Sequence, residues 1–140
     1  MPVTLADPPI QAFLATKEVV VLATAQHDAA PLAMPMWFLH DVASLVMISV
    51  DGVPKVRNLR RDPRVSVVAE AGTRRDVRGV TVRGRVEFLA DGPERRALVD
   101  RFHAKYDPDL ARLWSGHAMP ANRVMFRIVP EHVRSWGLGG

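Results

Sequence analysis

The run "GVTVRGRVEFL", Gly79 to Leu89, constrains this chain more than any other stretch. Val80, Val82, Val86 and Phe88 occupy one row, while Thr81, Arg83, Arg85 and Glu87 occupy the other. A period of two over that length fits a β-strand with one face buried and one face wet; a helix would scatter those valines around its circumference. Gly84 falls on the inward row, which predicts a bulge or a tight bend there.

Four more strands and a broken one surround it. "EVVVLATA" reads as a buried strand ending in the turn "QHDAAP". "LAMPMWFLH" continues as the next strand, with Pro35 in its middle. Proline cannot donate to a ladder, so this strand is expected at a sheet edge or with a local break at Pro35. "SLVMISV" and "RVSVVAEA" follow, the latter alternating through Val65, Val67 and Ala69, and "RVMFRIVP" closes the chain, running on toward "HVRSW". Helices are few. Asp7 and Pro8 open one whose apolar face is Ile10, Phe13 and Leu14. Asp91 and Glu94 stand at capping-box spacing before a second, with Leu98, Phe102 and Tyr106 on one stripe. "DPDLARLWSG" is a third. The adjoining strands lack the helical crossovers of a doubly wound sheet, so the expected fold is mainly β (α+β), a six-stranded antiparallel barrel with peripheral helices in one domain over residues 1–140. Trp114 and Trp136 read as barrel-closure or dimer-seam residues.

Composition narrows the chemistry. Without cysteine there is no disulfide, thiolate metal site or cysteine nucleophile. The five histidines lack ligand spacing, and no metal site is expected. Dinucleotide, phosphate-loop, metalloprotease and nucleophile-elbow motifs are missing. No secretory leader is recognisable and no apolar run approaches the roughly 18 residues of a membrane span, so a cytoplasmic location is expected. The net charge of +4 leans toward an anionic partner. Nucleic acid is disfavoured, because aromatic residues make up only 6% of the chain and none interleave with the basic runs in a recognition motif.

The segment "SVDGVPKVRNLRRDPR" holds the sharpest functional signal. It predicts a short helix opening at Val53–Pro54 and closing at Asp62–Pro63, with Val56 and Leu59 inward and Arg60 and Arg61 at the C-terminal end. Lys55 lies in the first turn, where the helix dipole favours an acid. An anion bound at that end reverses the sign, because backbone donors, dipole and ammonium then act on one ligand. The alternative is a solvated lysine on an exposed helix. Asn58, a poor helix former, is a candidate polar contact, and Arg57 is the arginine nearest to the expected anion. Met36 and Trp37 beside Pro35 could line a flat ring or simply pack in the core.

With these segments placed in order ("LATA", "MPMWF", "KVRNLRRDPRVSV", "RGVTVRGRVEFL" and "RVMFRIVPEHVRSW"), the chain resembles the flavin and deazaflavin oxidoreductases of the split β-barrel superfamily, related to pyridoxamine 5'-phosphate oxidase. The likeness runs from about Phe13 to Trp136. It implies the FMN-binding type of split barrel and a homodimer with a cofactor between two barrels. "KVRNLRRDPRVSV" is similar to the branch that uses coenzyme F420, with FMN the alternative cofactor. The resemblance implies that Lys55 holds the cofactor phosphate with Asn58 and Arg57 beside it, and that Ser49 and Val50 border that phosphate. Pro35, Met36 and Trp37 would lie along the ring, and Arg78 would either make up for a weaker phosphate site or contact a polyglutamate tail. Some relatives carry a basic residue at the position of Val53, a departure that predicts weaker binding. The implied activity is hydride transfer between the deazaflavin and an electron-poor small molecule, an enone, quinone or imine, with no catalytic side chain named. A non-enzymatic cofactor or small-molecule carrier is the other class.

Overall fold

In the computed structural model, which describes residues 2–139, the elements run α1 (Pro8–Leu14), β1 (Val19–Ala25), β2 (Pro31–Trp37), β3 (Leu39–His40), β4 (Leu45–Val50), α2 (Pro54–Arg61), β5 (Arg64–Gly72), β6 (Val77–Leu89), α3 (Pro93–Tyr106), α4 (Asp109–Trp114) and β7 (Arg123–Trp136). All the strand pairings are antiparallel, in one sheet of order β2-β1-β5-β6-β7-β4-β3. The mainly β architecture is as expected, but the described residues form seven strands where six were expected. The difference lies in "LAMPMWFLH". Its break falls at Phe38, not Pro35, and the two pieces pair at opposite edges of the sheet. Pro35 stays in register opposite Val21. β2 is an edge strand, so the donor that proline lacks is not needed on its outer side.

This topology forces curvature. One residue joins the two outermost strands, so the sheet must curl until its edges nearly meet, making a half-barrel. The bend is helped at Gly84, where the β6–β7 register shifts: Arg83 pairs with His132 and Gly84 with Pro130. A Cβ at Gly84 would lie 2.1 Å from the Val129 carbonyl oxygen, so the backbones approach as only glycine permits.

Two buried clusters sit on opposite faces of β4 and β7. Leu45, Met47, Phe126 and Ile128 turn toward the interior with Leu22, Val67, Val80, Val82 and the α1 residues Ile10, Phe13 and Leu14. Val46 and Met125 face the other way and pack under Leu98, Phe102, Tyr106 and Leu110 of α3 and α4. Burial on both faces explains why "SLVMISV" reads as a continuous apolar run while β6 alternates. The capping box expected at Asp91 does not form. Pro93 fits the first helical position, which moves the N-cap to Gly92, and the Asp91 carboxylate instead faces Arg95 and Arg96.

Candidate functional site

Because β3 pairs only with Leu45 and Val46, the outer edge of β4 beyond them has no ladder partner, and β2 pairs only with β1. The two unpaired edges face one another across a seam, and the seam opens into a cleft of about 760 Å³. One wall is β2, from Met34 to Trp37; another is Ile48, Ser49 and Val50 of β4. Val53, Pro54 and Lys55 close one end, and Phe102, Leu110, Leu113 and Trp114 form an apolar side. Free strand edges leave backbone donors and acceptors for a ligand to satisfy.

The corner at Phe38 sets the position of the β2 wall. The Tyr106 hydroxyl accepts the Phe38 N–H at 2.8 Å and donates to the Glu18 carbonyl at 2.6 Å. Its ring stacks on Trp37 with centroids 4.4 Å apart and planes within 4°. Lys105 donates to the Phe38 carbonyl at 2.9 Å and its Nζ lies 3.8 Å from the Phe38 ring centroid. Burial pushes the Lys105 pKa down to about 8 and that of Tyr106 up to about 12. The indole of Trp37 is therefore presented to the cleft on a rigid support.

Lys55 behaves differently from the other two lysines. Lys17 and Lys105 each donate to a backbone carbonyl, whereas among the described residues Lys55 has neither a hydrogen bond nor an ion pair. It is half-buried at the N2 position of α2, and burial lowers its pKa. The helix end itself offers less than the sequence suggested. Within the first turn Pro54 has no N–H and those of Val56 and Arg57 bond the Val53 carbonyl, so among the described residues that of Lys55 is the one helical N–H of this turn left without a partner. The ammonium is the main attraction for an anion here.

Six of the residues singled out from sequence thus line one cleft: Pro35, Met36, Trp37, Ser49, Val50 and Lys55. Asn58, Arg57 and Arg78 do not line it. Asn58 is 5% exposed, donates to the Thr24 hydroxyl at 3.0 Å and accepts from Arg61 at 3.2 Å; Arg61 also donates to the Ala25 carbonyl. These bonds fasten α2 to β1 and so hold Lys55 at the cleft. Arg57 points to solvent, and Arg78, on β6, pairs with Asp76 just before that strand. Sequence reasoning misses Arg123, Gln26 and the apolar side from α3 and α4, which includes Trp114, expected at barrel closure or a dimer seam. No local pattern marks them, because strand pairing and helix docking bring them to the cleft.

The α3–α4 side is held by paired histidines. His103, 6% exposed, directs Nδ1 at the Asp107 carboxylate (2.8 Å) and Nε2 at the His117 carbonyl (2.8 Å). Both partners are acceptors, so both ring nitrogens must donate and the ring is the imidazolium. His117 stacks on it at 4.1 Å and bonds Asp100; Trp114 packs edge-on. Burial opposes the charge on His103, but the bonds to Asp107 and the His117 carbonyl, with the charges of Asp107 and Asp100, outweigh it and raise its pKa. A raised basic pKa stabilises the fold fully below the unfolded value near 6.5, and that contribution is lost as pH rises through the folded value. The thermal midpoint should accordingly fall, relative to His103→Gln, as pH rises above about 6.5. Parallel pH profiles for the two proteins would show that the ring is neutral.

The family description "pyridoxamine 5'-phosphate oxidase" matches residues 6–137. The chain belongs to this family. Among solved structures, a conserved hypothetical protein from Mycobacterium tuberculosis is 28% identical, with 97% of this chain and 87% of that one covered and a TM-score of 0.81. An FAD-binding protein from Mesorhizobium loti is also 28% identical, over 89% and 87% of the two chains, with a TM-score of 0.72. A structure described as an F420 reductase is 25% identical over 89% and 94%, with a TM-score of 0.67. Haem storage and haem-binding proteins, at 16% and 20% identity, share the fold alone. No curated protein matches the chain. Among its described residues no helix is long and apolar enough to cross a membrane.

Proposed function

We propose that the cleft binds a phosphate-bearing deazaflavin, coenzyme F420, or else FMN, between the barrels of a homodimer, and that the protein is an oxidoreductase acting on an electron-poor small molecule. The observation that carries this reading is the unpaired, half-buried Lys55 ammonium at one end of a mainly apolar cleft. An anion at that end and a flat ring along Pro35, Met36 and Trp37 suit the lining. When bound, such a cofactor supplies hydride transfer. The chain's contribution is to orient it, with the free edges of β2 and β4 facing its ring, and to exclude water through Phe102, Leu110 and Trp114. Among the described residues neither a carboxylate nor a histidine lines the cleft, so the reading assigns no proton-transfer step to a side chain. That same lining favours, as a second reading, a carrier that binds the cofactor without turnover.

Titration of the purified protein with F420 and with FMN, followed by ligand fluorescence, tests the reading. Saturable binding of one is expected. Binding of neither would overturn it, and binding without hydride transfer to any of a panel of enones, quinones and imines would select the carrier.

A further inference from the structure

We infer that Arg123 is the second cation of an anion clamp, and that the cleft selects a ligand carrying two negative charges close together at one end. The inference rests on the cofactor reading for the identity of the ring, but on this chain's own residues for the charge. Arg123 opens β7 directly opposite Val50, the last residue of β4, and the Asp51 N–H donates to the Asn122 carbonyl at 2.8 Å. The strand pair is thereby locked at the point where the chain turns into α2, so Arg123 and Lys55 reach the cleft from adjoining supports, and both line it.

Neither cation is neutralised. Among the described residues the Arg123 guanidinium bonds only the neutral side chain of Asn122, at 2.6 Å. The nine ion pairs among the described residues include neither Arg123 nor Lys55. Asp51, the acid nearest to Lys55 in sequence, is already committed to Arg60 and to the Gly52 N–H, and Glu131, the acid nearest to Arg123 in sequence, pairs with Arg85. Two like charges lining one cleft repel each other, and a dianion relieves that repulsion better than a monoanion. A phosphate monoester near pH 7 carries ~1.5–2 negative charges. A phosphodiester followed by a carboxylate carries a similar total, and the guanidinium fork suits two oxygens at once.

The test compares ligands that share a ring and differ in the anion: FMN against riboflavin, and F420 against the corresponding phosphate-free deazariboflavin. Wild-type protein should bind the phosphorylated member of a pair at least about tenfold more tightly. Arg123→Gln should shrink that preference about fivefold or more while leaving affinity for the uncharged ring within about twofold, and Arg123→Lys should restore part of it. Equal loss for both members of a pair would make Arg123 a shaping residue and overturn the clamp. Equal binding of both by wild-type protein would also overturn it, while leaving the ring-binding reading intact. If no flavin binds, the cofactor reading fails separately, and inorganic phosphate becomes the probe. Quenching or enhancement of Trp37 and Trp114 fluorescence by phosphate in the wild type, and not in Arg123→Gln, sustains the clamp; no response in either overturns it. Matching circular dichroism and thermal midpoints establish that the variants are folded.

Discussion

Truncating Phe38 to alanine is expected to lower the unfolding free energy by about 3–5 kcal/mol, the range of buried aromatic-to-alanine changes. The side chain is fully buried in the interior cluster. It is also the single residue between β2 and β3, the strands at opposite edges of the sheet. Its backbone N–H and carbonyl are held by Tyr106 and Lys105, and its ring lies beneath the Lys105 ammonium. Alanine keeps the backbone bonds but leaves a void where the sheet closes on itself, and Lys105 loses the aromatic face that offsets its burial. Urea denaturation measures the loss; a change below about 1 kcal/mol would mean that the corner relaxes around the void and that closure does not depend on the ring. Because the same corner positions Trp37, the variant should also bind cleft ligands less tightly.

What could be read from the sequence follows from how each element is buried. β6 was legible because one face is buried and one is wet, so Val80, Val82 and Val86 mark it without reference to any other part of the chain. The end of one strand at Trp37 and the start of another at Leu39 were not legible. Residues on both sides of Phe38 are apolar, and the switch from one sheet edge to the other is a matter of pairing partners and not of side-chain pattern. Pro35 marks one of its two expected outcomes, a strand at the sheet edge, while the break falls three residues on at Phe38. Similarly, Asp91 satisfies the spacing of a capping box, yet Pro93 determines where the helix begins. In the site, Lys55 stood out because its sign is wrong for the first turn of a helix, which is a local rule. Asn58 stood out as a poor helix former, and the structure shows the reason for its presence in its buried bonds to Thr24 and Arg61. Arg123 had no such mark, since an arginine opening a strand is ordinary until Val50 is found across from it.

Replacing Lys55 with alanine should weaken cofactor binding at least tenfold, or by more than about 1.4 kcal/mol, while leaving the ligand-free protein at least as stable as the parent. The two effects have opposite signs for one reason. Burial holds the pKa of Lys55 below the ordinary value of 10.5, so the folded protein binds this proton less readily than the unfolded chain does. A depressed pKa contributes stability above the unfolded value and loses it as pH falls through the folded value. At neutral pH the unpaired ammonium therefore burdens the empty fold, and an anion in the cleft reverses that burden. Removing the side chain relieves the first and forfeits the second, the pattern expected of a binding residue kept at some expense in stability. Fluorescence titration with F420 and FMN, paired with thermal unfolding of the ligand-free proteins, measures both. Unchanged affinity for both cofactors would sink the assignment of Lys55 to the phosphate. A fall in both affinity and ligand-free stability would instead make Lys55 part of the scaffold.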